Sequence, residues 1–171
     1  MRIEQLGDLS PDPDIREWLV SQPVAVPYFA GTKIKFIIDS DESDDRPDEF
    51  AAAVRRFLAL STSDRDVATP HVFSNYRAIC DAIGEEDVGV KIGEPADVWN
   101  RVRPTEIHVA RRSRGDRKVY VKICAECTWE PEHGLQIVYR EGSVLSRVSD
   151  QDRHLTHADA HGLPESQDRI A

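Results

Sequence analysis

The sequence predicts an α+β domain: an antiparallel sheet, made of an N-terminal hairpin plus a C-terminal four-strand meander, with two or three helices packed on one face. Two observations carry that expectation. From Pro104 to Ser149 apolar and polar residues alternate in four runs, EIHVARR, KVYVKICAECTW, GLQIVYR and SVLSRVS, broken by SRGD, EPEH and Glu141-Gly142. Between residues 48 and 84 two segments instead repeat apolar residues at helical spacing. A sheet and helices that each carry one apolar side pair naturally into two layers.

At the N-terminus, PDPDIREWLV predicts a short helix, with Asp12 as its cap, Pro13 in the first helical position and Ile15, Trp18 and Leu19 on one face. VAVPYF and TKIKFIID then flank Ala30-Gly31. Ile34, Phe36 and Ile38 alternate with polar positions such as Lys33 and Lys35, so this pair reads as a hairpin with one wet face, Pro27 suiting an edge strand. The acidic stretch DSDESDDRPDE, Asp39 to Glu49, lacks the glycine and terminal glutamate spacing of an EF-hand and reads as a solvated loop. It also supplies carboxylates to the start of the next helix, where the dipole favours them.

That helix, DEFAAAVRRFLAL, places Phe50, Val54, Phe57 and Leu58 on one stripe. A second is expected to open at Thr69-Pro70, with Val72, Tyr76, Ile79, Cys80 and Ile83 facing the core and Gly84 as its stop. VGVKIG reads as a short strand, and PADVWNRV as a short helix offering Val98, Trp99 and Val102 to the core. Residues 1–150 are thus expected to form a single α+β domain. Residues 151–171 are polar, with little to bury, and read as a loosely ordered tail.

Composition excludes several classes. No apolar run approaches the roughly 18 residues of a spanning helix, and the N-terminus has no leader pattern, so a soluble cytoplasmic protein without a membrane partner is expected. Three cysteines, an odd number, point to reduced thiols. The net charge is −9, but residues 101–140 carry nine Lys/Arg against five Asp/Glu, which leaves −13 on the remainder. An acidic surface of that strength favours a basic partner. The basic tip RRSRGDRK has no set of aromatic residues beside it, and a nucleic-acid partner is not expected. There is no GxxxxGK loop, no GxGxxG, no GxSxG and no HExxH, so no cofactor is indicated.

The stretch CAECTWEPEHG holds the chemistry-bearing residues. In its strand Val119, Val121, Ile123, Ala125, Cys127 and Trp129 share one face, while Tyr120, Lys122, Cys124 and Glu126 share the other. Cys124 and Cys127 therefore point apart, whereas a zinc knuckle needs both thiolates on one ion. A metal site would have to draw instead on Cys127, Glu132 and His133 with His154, His157 and His161 from the tail. Glu130, Glu132 and His133 have no nucleophile motif beside them and are expected to seal a turn, in which Pro131 sets the bend and Gly134 takes a positive φ.

With these residues in view, the sequence resembles a bacterial domain-of-unknown-function family, family 6985, whose hallmark is a Trp-x-x-Glu-His-Gly-Leu stretch followed by an apolar strand and a Gly. Here Trp129, Glu132, His133, Gly134, Leu135 and Gly142 carry it. The resemblance covers residues 97–157 well and VPYFAGTKIKF, FLAL and HVFSNYR more loosely. It implies no catalytic residues; it implies a small stand-alone cytoplasmic protein, and proximity of some relatives to toxin–immunity loci implies binding rather than catalysis. In that family positions 124 and 127 are more often acidic or small, which implies that the cysteine pair is incidental. Taken together, the expected function is a non-enzymatic protein-interaction module of immunity type, with a metal-binding protein or metal-dependent enzyme as the alternative.

Overall fold

A computed structural model describes residues 2–39 and 44–170. The fold is mixed α/β, built on one large, mostly antiparallel sheet of eight strands: β1 (Leu9–Pro11), β2 (Trp18–Ser21), β3 (Val24–Val26), β4 (Thr32–Asp39), β5 (Val102–Arg111), β6 (Val119–Cys127), β7 (Leu135–Arg140) and β8 (Val144–Ser149). Their spatial order is β1-β2-β4-β5-β6-β7-β8, and β3 pairs with β4. The expectation of a purely antiparallel sheet is corrected at one junction: β4 and β5 run parallel, Phe36 beside Ile107 and Ile38 beside Val109. A parallel pair cannot be joined by a tight turn and needs a long crossover. Residues between β4 and β5 supply it, and they carry α1 (Asp48–Leu58), α2 (Arg65–Ile83) and α3 (Glu85–Val88).

The N-terminal helix is not formed. Asp12 does cap, but its Oδ1 accepts from the amides of Asp14 and Ile15, at 2.9 and 3.0 Å, and closes a turn. The chain then reverses, so that Trp18, Leu19 and Val20 pair with Asp39, Ile38 and Ile37 of β4. Pairing of three β-favouring side chains with an exposed strand edge outweighs one turn of isolated helix. Between β2 and β3 the register on β4 slips by one residue. There the Ser21 hydroxyl accepts the Phe36 amide at 2.9 Å and supplies the partner that the ladder lacks.

The helices meet the face of the sheet that carries Phe36, Ile38, Ile107, Val109, Val121, Ile123 and Ile137, all buried. Phe50, Ala53, Val54 and Phe57 of α1 are buried against it, as the apolar stripe requires. α2 starts earlier than Thr69-Pro70. A capping box between Ser61 and Asp64 opens a 3-10 turn at Thr62–Asp64 that leads directly into the helix, and Pro70 lies inside it. Nearby, Thr69 Oγ1 donates to the Arg65 carbonyl and accepts from Trp99 Nε1, both within 2.9 Å. Residues 40–43 of the acidic stretch lie outside the described residues. Its next residue, Asp44, is held by a bidentate Arg111.

VGVKIG forms no strand. The Tyr76 hydroxyl instead accepts the Ile92 amide at 3.2 Å and donates to the Val90 carbonyl at 3.3 Å, and Ile92 packs into the core. Tyr76→Phe should therefore cost about 1–2 kcal/mol by orphaning a buried amide. In hydrogen exchange the Ile92 amide should lose protection before the sheet does. Unchanged protection there would show that the hydroxyl does not hold this segment.

After β8 the segment expected to be loose carries α4 (His157–His161) and a 3-10 turn at Glu165–Gln167. Arg112, buried at the end of β5, reaches Asp159, Glu165 and Thr156 in it. Residues 156–165 of the segment are thus fastened from the sheet side by the Arg112 guanidinium, while Arg147 of β8 holds Asp152 just before them.

Candidate functional site

Because the helices cover one face of the sheet, the period-two alternation leaves the other face to polar side chains. Strand β5 sends Glu106 and His108 there; β6 sends Tyr120, Lys122 and Cys124; β4 sends Lys35. The register sets them side by side: Glu106 pairs with Lys35 on one flank and with Cys124 on the other, and His108 with Lys122. Trp18 on β2 makes a T-shaped contact with the His108 ring, centroids 5.3 Å apart. Trp18, Glu106, His108, Tyr120, Lys122 and Cys124 floor a cleft of about 1080 Å³. Its walls come from the β5–β6 turn at Ser113 and Arg114, from Glu132 and His133, and from Gln151 to Leu155.

At the centre His108 Nε2 lies 2.7 Å from Glu106 Oε1, and Lys35 Nζ lies 3.4 Å from Glu106 Oε2. The hydrogen bond to His108, helped by Lys35, pushes the Glu106 carboxyl down to about 2. Cys124, 5% exposed, is pushed up to about 11 by burial, so its thiol keeps its proton near neutrality. A carboxylate oxygen of Glu106, an imidazole nitrogen of His108 and the sulfur of Cys124 all lie within 4.8 Å of one another. This is the group with metal-ligand geometry among the described residues.

The residues singled out from sequence are dispersed. Cys127 lies on the helix side, in the core, its sulfur 3.8 Å from the Glu130 carbonyl. His133 is 65% exposed, and both its backbone amide and its Nδ1 lie 3.2 Å from Glu130 Oε1, which closes the turn. Glu132 and His133 reach the rim of the cleft, and so does His154. The backbone carbonyl of His154 accepts from the buried Gln136 side chain at 2.9 Å. His157 is buried in α4 and packs at a tilt against His161, centroids 4.3 Å apart; burial pushes its pKa down. Neither Cys127 nor His157 lines the cleft. Trp129 is buried on the helix side, its Nε1 donating to Asn75 Oδ1 at 2.9 Å. Gly134 has a φ of 65°, and a Cβ there would lie 2.6 Å from the Ala125 carbonyl oxygen.

Sequence reasoning missed Glu106, His108 and Trp18. The Glu-x-His spacing on a strand does put both side chains on one face, and that much was available. Their meeting with Cys124 depends on the β5–β6 register, which is offset by an irregularity between Pro104 and Glu106. All three cysteines are free and buried.

No helix among the described residues is long and apolar enough to cross a membrane. Neither a curated protein nor a solved structure matches the chain. The model of one family, described as a domain of unknown function, DUF6985, matches residues 5–155. That match spans the whole sheet, both long helices and the floor of the cleft, and the chain accordingly belongs to the DUF6985 family.

Proposed function

We propose that the chain is a non-enzymatic binding module that takes a charged protein segment in the cleft on the open face of its sheet. The observation that carries this reading is the cleft itself: about 1080 Å³, floored by Trp18, Glu106, His108 and Lys122 on a rigid sheet, while the opposite face is closed by helices. Its lining is mixed in charge. The acids Asp39 and Glu132 and the bases Arg114, Lys122 and Arg153 have no ion-pair partner among the described residues. Such a surface selects an extended, polar partner over an apolar small molecule. The negative charge carried outside residues 101–140 speeds the approach of a basic partner, and Asp39 and Glu132 receive its cations in the cleft. Immunity-type inhibition of a basic protein is the form of this function that we infer, and the charge supports its basic partner.

Panning a displayed random-peptide library against the full chain tests it. Selected peptides should be rich in Lys and Arg, and their affinity should fall at least about tenfold on raising salt from about 0.05 to 0.5 M. The double variant Asp39→Lys, Glu132→Lys should lose them and keep the fold. Binding that ignores both salt and this variant would place the partner surface elsewhere.

A further inference from the structure

We propose that Glu106, His108 and Cys124 form a zinc-class metal site at the floor of the cleft, with one coordination position open towards it. This goes beyond the binding-module reading and does not depend on it. The donor set comes first. A thiolate sulfur, an imidazole nitrogen and a carboxylate oxygen suit a borderline ion such as Zn²⁺, and they are poor company for Mg²⁺ or Ca²⁺. Three protein ligands with a fourth position facing a cleft is the arrangement of metal sites that hold water or a ligand, rather than of closed structural ones.

The geometry is close to what such an ion needs. Bonds of about 2.0–2.3 Å at tetrahedral angles put ligand atoms roughly 3.3–3.7 Å apart. Here the ligand atoms lie within 4.8 Å of one another, and the closest pair, Glu106 Oε1 and His108 Nε2, is at 2.7 Å. Opening that pair by less than an ångström and drawing in Cys124 needs only side-chain adjustment. The backbone is already set, because Glu106 and Cys124 are direct cross-strand partners and His108 is two residues along the same strand. Two neighbours hold ligand side chains in place. Lys35 binds the second Glu106 oxygen, and the Trp18 and His108 rings pack in a T-shaped contact.

The exchange balances in charge and protons. A divalent ion replaces the hydrogen bond between His108 and Glu106; Cys124 gives its thiol proton to solvent, and His108 keeps a ring proton on Nδ1 only. Thiolate and carboxylate then neutralise the ion. Lys122, beside His108 in the register, remains as a positive charge that suits water or an anionic group in the open position.

The test is Co²⁺ titration of the untagged full chain, followed by Zn²⁺. One equivalent of cobalt should give a sulfur-to-cobalt charge-transfer band in the near ultraviolet and the intense visible bands of a tetrahedral ion, and zinc should bleach both. Cys124→Ser should abolish the charge-transfer band. His108→Gln, a change outside the apolar core, should weaken binding by at least the roughly 10–100-fold that even an outer contact is worth. Cys127→Ser and Cys80→Ser should bind as the parent does, and near-ultraviolet circular dichroism identifies any variant that fails to fold. A chain that takes up no cobalt, or a band that follows Cys127 or Cys80 instead of Cys124, overturns the site.

Discussion

Replacing Gly142 by alanine is expected to destabilise the fold by about 3–5 kcal/mol, a large loss for the addition of one methyl group. Two costs add. Gly142 has a φ of 82°, a conformation that side chains rarely adopt. Its Cβ would also stand 2.0 Å from the carbonyl oxygen of Ala53, inside the backbone of α1. The helix cannot yield, because Phe50, Val54 and Phe57 on either side of Ala53 are fully buried. The turn cannot yield easily either. Glu141 beside it also has a positive φ, and its carbonyl accepts from Arg56 Nη1 on α1. Thermal and urea denaturation should show a midpoint lowered by roughly 10 °C or more. A loss below about 1 kcal/mol would mean that turn and helix are not pressed together as described.

Arg112→Ala should release the C-terminal segment. The guanidinium is 3% exposed and makes two 2.8 Å bonds to Asp159, further bonds to Glu165, and one to Thr156. Removing one partner of a buried pair typically costs about 3–5 kcal/mol. The carboxylates left behind are partly open to water, Glu165 by 53%, so about 2–3 kcal/mol is expected. Hydrogen exchange should localise the loss to residues 156–168 while β5 to β7 stay protected. Uniform loss across the sheet would argue instead that the segment and the core unfold as one.

Acid should imitate that substitution. The hydrogen bonds from Arg112 hold the Asp159 carboxyl below its ordinary range. Its contribution is therefore complete above the unfolded value of about 3.9 and is lost as pH falls through the lower folded value. Asp44 and Glu49, both lowered by Arg111, act in the same direction. In Arg112→Ala the acid dependence of exchange in 156–168 should flatten, since Asp159 no longer differs between open and closed states. An unchanged dependence would assign it to another carboxylate.

Strand alternation alone places Cys124 and Cys127 on opposite faces, and the structure puts Cys127 in the core and Cys124 in the cleft. The stripe of α1 and the left-handed turn at Gly134 are equally local properties, legible from spacing and residue type. Asp12 shows the limit of such signals. Its capping preference is real, but whether a capped turn continues as helix depends on what the next residues meet, and Trp18 to Val20 meet the edge of β4.

What the sequence by itself determined is therefore the kind of each strongly periodic element and the face each side chain takes, because both follow from the geometry of a few adjacent residues. Only the tertiary structure decided which elements are neighbours: the parallel β4–β5 junction, the fastening of the C-terminal segment by Arg112, and the meeting of Glu106, His108 and Cys124. Those depend on register and crossover between residues far apart in the chain. A slip of one residue in β6 would turn Cys124 into the core and dissolve the site, without altering a single local signal.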